Sequence, residues 1–246
     1  MMPDRRFGFE YSDQPIVDHI DNNAPSPSSP SPNSDFFVYV MGPYTAFNAD
    51  YVYDDAGKLT SPFIDDPLFD SDTHVTENGR GDMERVLADL CEDLREQLGV
   101  RAFIATDIDI PTKRQAEDTD CEEPGMTPLD QSVEFAAVSD AVLFIFSAAG
   151  LNSGVAGEVG SVLGEFNLRW NNPARECKPR ERLRIFQGPG FGSASLDEIP
   201  FGFGVDVIDF ETRKELLAKS QQFLVGVERG AREEGWPIFS PLPTSK

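Results

Sequence analysis

Apolar residues recur along this chain in two rhythms, and their alternation predicts its elements. Phe36-Phe37-Val38-Tyr39-Val40-Met41 is a β-branched and aromatic run that stops at Gly42-Pro43, a strand meeting a breaker. Over 81–98, Met83, Val86, Leu87, Leu90, Leu94 and Leu98 keep the i, i+3, i+4, i+7 spacing of one helical face, and Gly99 is placed to end that helix. Arg101 to Thr106 reads as a second strand. A helix is predicted over 128–138, with Thr127 as its N-cap and Pro128 at the first helical position. The uninterrupted apolar run from Ala141 to Ser147 reads as a buried strand leading into a helix over 155–169. Two more strands are predicted at Leu183 to Gln187 and Gly204 to Phe210, and a last amphipathic helix at 211–234.

Strands alternating with helices predict an α/β fold. The expectation is a flavodoxin-like or Rossmann-like three-layer sandwich on a mostly parallel five-stranded sheet, with right-handed crossovers. Asn22 to Ser34 is a Pro/Ser linker with too few apolar side chains to order itself, so the folded domain is expected over 35–236. Residues 1–34 then form either a disordered arm or a loosely docked one, with Phe7, Phe9 and Tyr11 available for docking. The segments 46–79 and 108–127 lack a sustained period and read as long loops, and 237–246 as a proline-rich tail.

Charge narrows the function. The 246 residues carry a formal net charge of −22, and only six of the 21 basic residues are lysine. That balance excludes a nucleic-acid-binding surface, which needs clustered positive charge, and adsorption to an anionic membrane. The acidic excess is spread along the whole chain and is similar to the proteome signature of halophilic, salt-in archaeal microorganisms. Most Asp and Glu therefore belong to the solvated surface. Cys91, Cys121 and Cys177 are widely spaced, and His19 and His74 are the only histidines. Neither a structural zinc, nor another cofactor, nor a Ser-His-Asp or Cys-His machine is expected. With no long apolar run and no apolar signal core, a cytoplasmic protein is expected.

The candidate chemistry lies at strand exits, where open α/β sheets bind ligands. Gly42, Pro43 and Tyr44 leave the first strand, and neither GxGxxG nor a P-loop motif is present. Asp107 and Asp109 follow the second strand and either reach the crevice or sit in an exposed loop. Ser139-Asp140 precedes the third strand and either turns the chain or adds to the binding residues. After that strand, Asn152, Ser153 and Gly154 can offer amides and side-chain hydrogen bonds at a helix start, to a ligand or to the helix itself. Glu158 is the sharpest candidate. In about the first turn of its helix, it is either a capping-box partner or a carboxylate able to attack an anomeric carbon or steady an oxocarbenium-like transition state.

Three pieces together resemble the nucleoside 2-deoxyribosyltransferase superfamily: Val40-Met41-Gly42-Pro43-Tyr44, the Ser139 to Phe146 strand, and Ser153-Gly154-Val155-Ala156-Gly157-Glu158-Val159-Gly160. The resemblance implies that Glu158 is the nucleophile and that Asp130 matches the base-orienting aspartate. It implies a nucleoside or nucleotide as partner and a homo-oligomer as the assembly. Asn152-Ser153 stands where that family carries an acidic residue, and Val155 where it carries threonine. A similar pattern occurs in Toll/interleukin-receptor-like nucleotide-sensing domains, where a glutamate cleaves an N-glycosidic bond. Both resemblances point to Glu158. A non-catalytic nucleotide sensor and a protein-interaction module are the alternatives to an N-glycosidase or transferase.

Overall fold

The computed structural model describes residues 10–44, 66–76, 81–119, 124–170, 180–191 and 193–233. Its centre is a five-stranded parallel sheet, with β3 (Phe37–Met41), β4 (Arg101–Phe103), β5 (Ala141–Phe146), β6 (Leu183–Gln187) and β7 (Val207–Asp209) in the order β4-β3-β5-β6-β7. Ahead of it, β1 (Glu10–Tyr11) and β2 (Gln14–Pro15) form a two-residue-turn hairpin, with Ser12 and Asp13 both at positive φ. The apolar run of β5 is buried at every position, as a central strand covered on both faces requires. Its register sets Val38 opposite Ala141 and Val142 opposite Leu183.

Alternate strand residues feed two cores. Val38, Val40, Leu143 and Ile145 pack under α2 (Met83–Leu98) and α8 (Arg213–Glu233). Phe37, Tyr39, Met41, Phe144 and Phe146 pack under α4 (Pro128–Val138) and α5 (Asn152–Trp170). Sequence order reverses at β3: α2 carries the chain to β4 on one side, and α4 brings it back to β5 on the other. Reversals of this kind are where open α/β sheets bind ligands, outside the carboxyl ends of the strands, here those of β3 and β5. Among the described residues, no helix is long and apolar enough to cross a membrane.

Several boundaries differ from expectation, each for a local reason. The second strand stops at Phe103 because the chain tightens into a 3-10 turn at Ala105–Asp107. The fifth is cut to Val207–Asp209, since Gly204 closes the short helix α7 (Ile199–Phe203), which follows α6 (Ala194–Asp197), in the left-handed conformation, φ 67°. Within the 108–127 loop, Thr112 caps α3 (Lys113–Asp118).

The largest correction concerns the start of the folded unit, which precedes Asp35. Ile16, Val17 and Ile20 line one side of α1 (Ile16–Asn23) and are buried in the core beside α4. The Arg101 guanidinium holds its end in place, donating to Asp21 Oδ1, the Asp21 carbonyl and the Ala24 carbonyl, each at 2.6 Å. A buried cation satisfying backbone carbonyls orders a linker too poor in apolar side chains to order itself. Most of 46–79, Cys121, Cys177 and the 237–246 tail lie outside the described residues; Cys91 is buried in α2.

Candidate functional site

Two interlocked turns follow β3 and β5 at the switch point. Gly42 leaves β3 where a Cβ would stand 2.7 Å from Leu87 Cδ2 and 3.3 Å from the Ile145 carbonyl oxygen. Gly150, after β5, faces Pro43 so closely that a Cβ would stand 2.1 Å from Pro43 Cγ. Both glycines are thus required by close approach rather than by unusual dihedrals.

Tyr44 follows Pro43, and its hydroxyl accepts the Ala105 amide hydrogen at 3.1 Å. Its own proton is therefore free to be donated elsewhere. Tyr39 is fully buried, stacked on Phe103 at 5.3 Å and edge-on to Phe135 at 5.8 Å. Its hydroxyl has no hydrogen-bond partner in bonding geometry, although the hydroxyls of Ser132 and Tyr44 lie near enough to influence its titration. Burial, first of all, pushes both phenols well above their ordinary range, and the nearby Glu158 charge adds to the effect. Both stay protonated at any working pH.

Glu158 is half-buried in the second turn of α5, since the helix begins at Asn152 rather than 155. Six residues separate it from the helix start, so it is no capping-box partner, and the macrodipole, concentrated in the first turn, favours its anion little. Desolvation acts instead, raising its carboxyl from 4.5 to about 7. A half-buried carboxyl titrating near neutrality and two tyrosine hydroxyls, one of them buried without a partner in bonding geometry, thus share the switch point between β3 and β5.

Other candidates do not join them. Asn152 is buried, and its amide clamps the turn after β5: Nδ2 donates to the Ser147 and Gly150 carbonyls at 2.7 and 2.9 Å, and Oδ1 accepts from the Ser147 amide at 3.3 Å. Both polar atoms of that side chain are thus engaged by the turn. Ser153 and Gly154 are exposed within the first turn, and a Cβ on Gly154 would meet nothing within 4 Å. Asp140 lies at the opposite, amino end of the sheet. Its Oδ2 accepts from the Phe37 amide at 2.9 Å, and its Oδ1 is 3.8 Å from Arg182, both residues with no exposed surface. It joins two strands rather than binding a ligand. Asp130 is spent on helix capping, taking the Thr127 hydroxyl hydrogen at 2.6 Å, and its groove is shared with Glu10, Tyr11 and Glu165. Asp107 caps its own 3-10 turn through the Ile104 amide at 2.9 Å, and Asp109 is exposed.

Sequence reasoning missed Asp66, which lies 4% exposed beside the turn after β5. Its Oδ1 accepts from the Leu68 amide at 2.9 Å; its Oδ2 accepts from the Ser147 hydroxyl and, at 2.9 Å, from the Ala149 amide. An aspartate in an aperiodic, Asp-rich segment gives no signal of this kind. Tyr39 did carry one: a single polar atom inside an otherwise apolar strand.

A family model described as a domain of unknown function, DUF7509, matches residues 16–240. The chain belongs to the DUF7509 family. That match spans both α1 and the crevice, so the family unit includes the N-terminal helix docked by Arg101. No curated protein matches this DUF7509 chain.

Proposed function

We propose that this DUF7509 chain is an enzyme that acts on the N-glycosidic bond of a nucleoside or nucleotide through Glu158. The observation carrying the proposal is the half-buried Glu158 carboxyl, raised to about 7 at the β3/β5 switch point, near the Tyr44 hydroxyl. The resemblance of Ser153 to Gly160 to the nucleoside deoxyribosyltransferase pattern supports the same assignment.

In its ionised form Glu158 attacks the anomeric carbon. A bond from carboxylate oxygen to carbon forms as the carbon–nitrogen bond breaks, and the electron pair leaves with the base. Water or a second base then displaces the glutamate and restores the carboxylate. Tyr44, held neutral, donates a hydrogen bond to a sugar oxygen without supplying a charge, and the buried Tyr39 beneath it stays neutral as well. Only ionised Glu158 attacks, so turnover rises as pH passes through about 7. Chromatography of nucleoside and nucleotide mixtures incubated with the protein should show free base. Glu158→Gln should lower its release at least about 100-fold. Undiminished turnover in that variant would remove Glu158 from the reaction.

A second reading is a sensor that binds the same ligands without cleaving them. Asn152 favours it, because the position that carries an acid in the resembling family is here an amide fully engaged by backbone carbonyls. That reading predicts a ligand-dependent rise in melting temperature with no base released.

A further inference from the structure

The buried carboxyl of Asp66 is unused by the chemistry above, yet it holds the turn from which the crevice is built. Its side chain receives three donors, two of them on one oxygen and both from the turn after β5. Asn152 grips the same turn from the helix side, through the amide and carbonyl of Ser147 and the carbonyl of Gly150. Gly150 in turn abuts Pro43, the residue before Tyr44. A continuous run of contacts therefore leads from Asp66 through Ser147, Ala149 and Gly150 to Pro43 and Tyr44.

We propose that Asp66 is a positioning residue of the crevice: by holding Ser147 and Ala149, it fixes Gly150 against Pro43 and so sets the place of Tyr44 near Glu158. Rigid support of this kind matters because a reacting group displaced by about 1 Å can cost about 100-fold in rate. Asn152 alone cannot supply it. The Asn152 side chain reaches the backbone of Ser147 and Gly150, whereas the Ser147 hydroxyl and the Ala149 amide are bound by Asp66.

The inference rests on the crevice reading, but its test does not require turnover. Ser147→Ala removes one of the three donors to Asp66 and keeps the backbone; Asp66→Asn sets an amide N–H against one of the remaining donors. Circular dichroism establishes which variants fold, and tyrosine ring 13Cζ resonances, assigned with Tyr44→Phe, report the Tyr44 hydroxyl. The expected result is a moved Tyr44 resonance in folded Ser147→Ala, with base release lowered about 10- to 100-fold if the wild type cleaves nucleosides. Should Asp66→Asn not fold, Ser147→Ala decides alone. A Tyr44 resonance unchanged in every folded variant overturns the proposal. If the wild type releases no base, the proposed reaction fails, while the resonance still tests Asp66.

Discussion

Burial of Glu158 favours its neutral carboxyl and so links stability to pH. Its folded pKa of about 7 lies above the unfolded 4.5, so the fold favours the protonated form. Stability from that proton is complete below about pH 4.5 and is lost as pH rises through about 7. Glu158→Gln mimics the neutral carboxyl. It should match the wild type in urea denaturation at pH 4, yet be more stable at pH 8 by about 1–2 kcal/mol, discounted for partial exposure. A variant less stable at both pH values would mean that the carboxylate supports the fold. Asn152→Asp supplies the complementary case. Restoring the acid of the resembling family places a carboxylate against the Ser147 and Gly150 carbonyls, at a cost of about 2–4 kcal/mol. Denaturation midpoints check this, and an unchanged midpoint would show that the clamp is dispensable. The sequence pattern exposed Glu158 because a glycine-rich helix start isolates it. Asp66 was hidden because a buried acceptor in an Asp-rich loop looks like every solvated aspartate until its partners are known.

Among the elements, α5 carries the most glycines that packing does not explain. Gly154, Gly157, Gly160 and Gly164 lie within Asn152–Trp170, and a Cβ on any of them would meet nothing within 4 Å. Replacing each with alanine should raise stability by about 0.5–1 kcal/mol in thermal melts, since glycine loses more backbone freedom on helix formation. A drop in melting temperature would show that the face is in contact in solution. The helices with strong boundary chemistry were the legible ones. Pro128–Val138 falls between its threonine cap and its end as expected. The start of α5 moved to Asn152 because that side chain bonds backward into the preceding turn, a contact no spacing rule encodes. α1 was missed for a different reason: three apolar residues over one short helix make no sustained period, and the anchor is an arginine about eighty positions away.

At the scale of the whole molecule, alternating strands and helices were enough to give the parallel sheet, because buried parallel strands need crossover helices on both faces. The strand order, and with it the switch point between β3 and β5, depended on where each helix crosses. The net charge of −22 acts at this scale too. Self-repulsion opposes compactness and is screened to about 3 Å at 1 M salt. The melting temperature should therefore rise steeply between dilute buffer and molar potassium chloride; a flat profile would exclude adaptation to salt.

In the proposed function, the Glu158 carboxyl meets a nucleoside-type ligand at the β3/β5 switch point. Carbon-13 NMR of glutamate side-chain carboxyls, recorded against pH with and without a 2′-deoxynucleoside, tests it most directly. One resonance should titrate near pH 7, vanish in Glu158→Gln, and change its midpoint when the nucleoside is added. A Glu158 carboxyl that titrates in the ordinary glutamate range and ignores every nucleoside and nucleotide offered would contradict the proposed role.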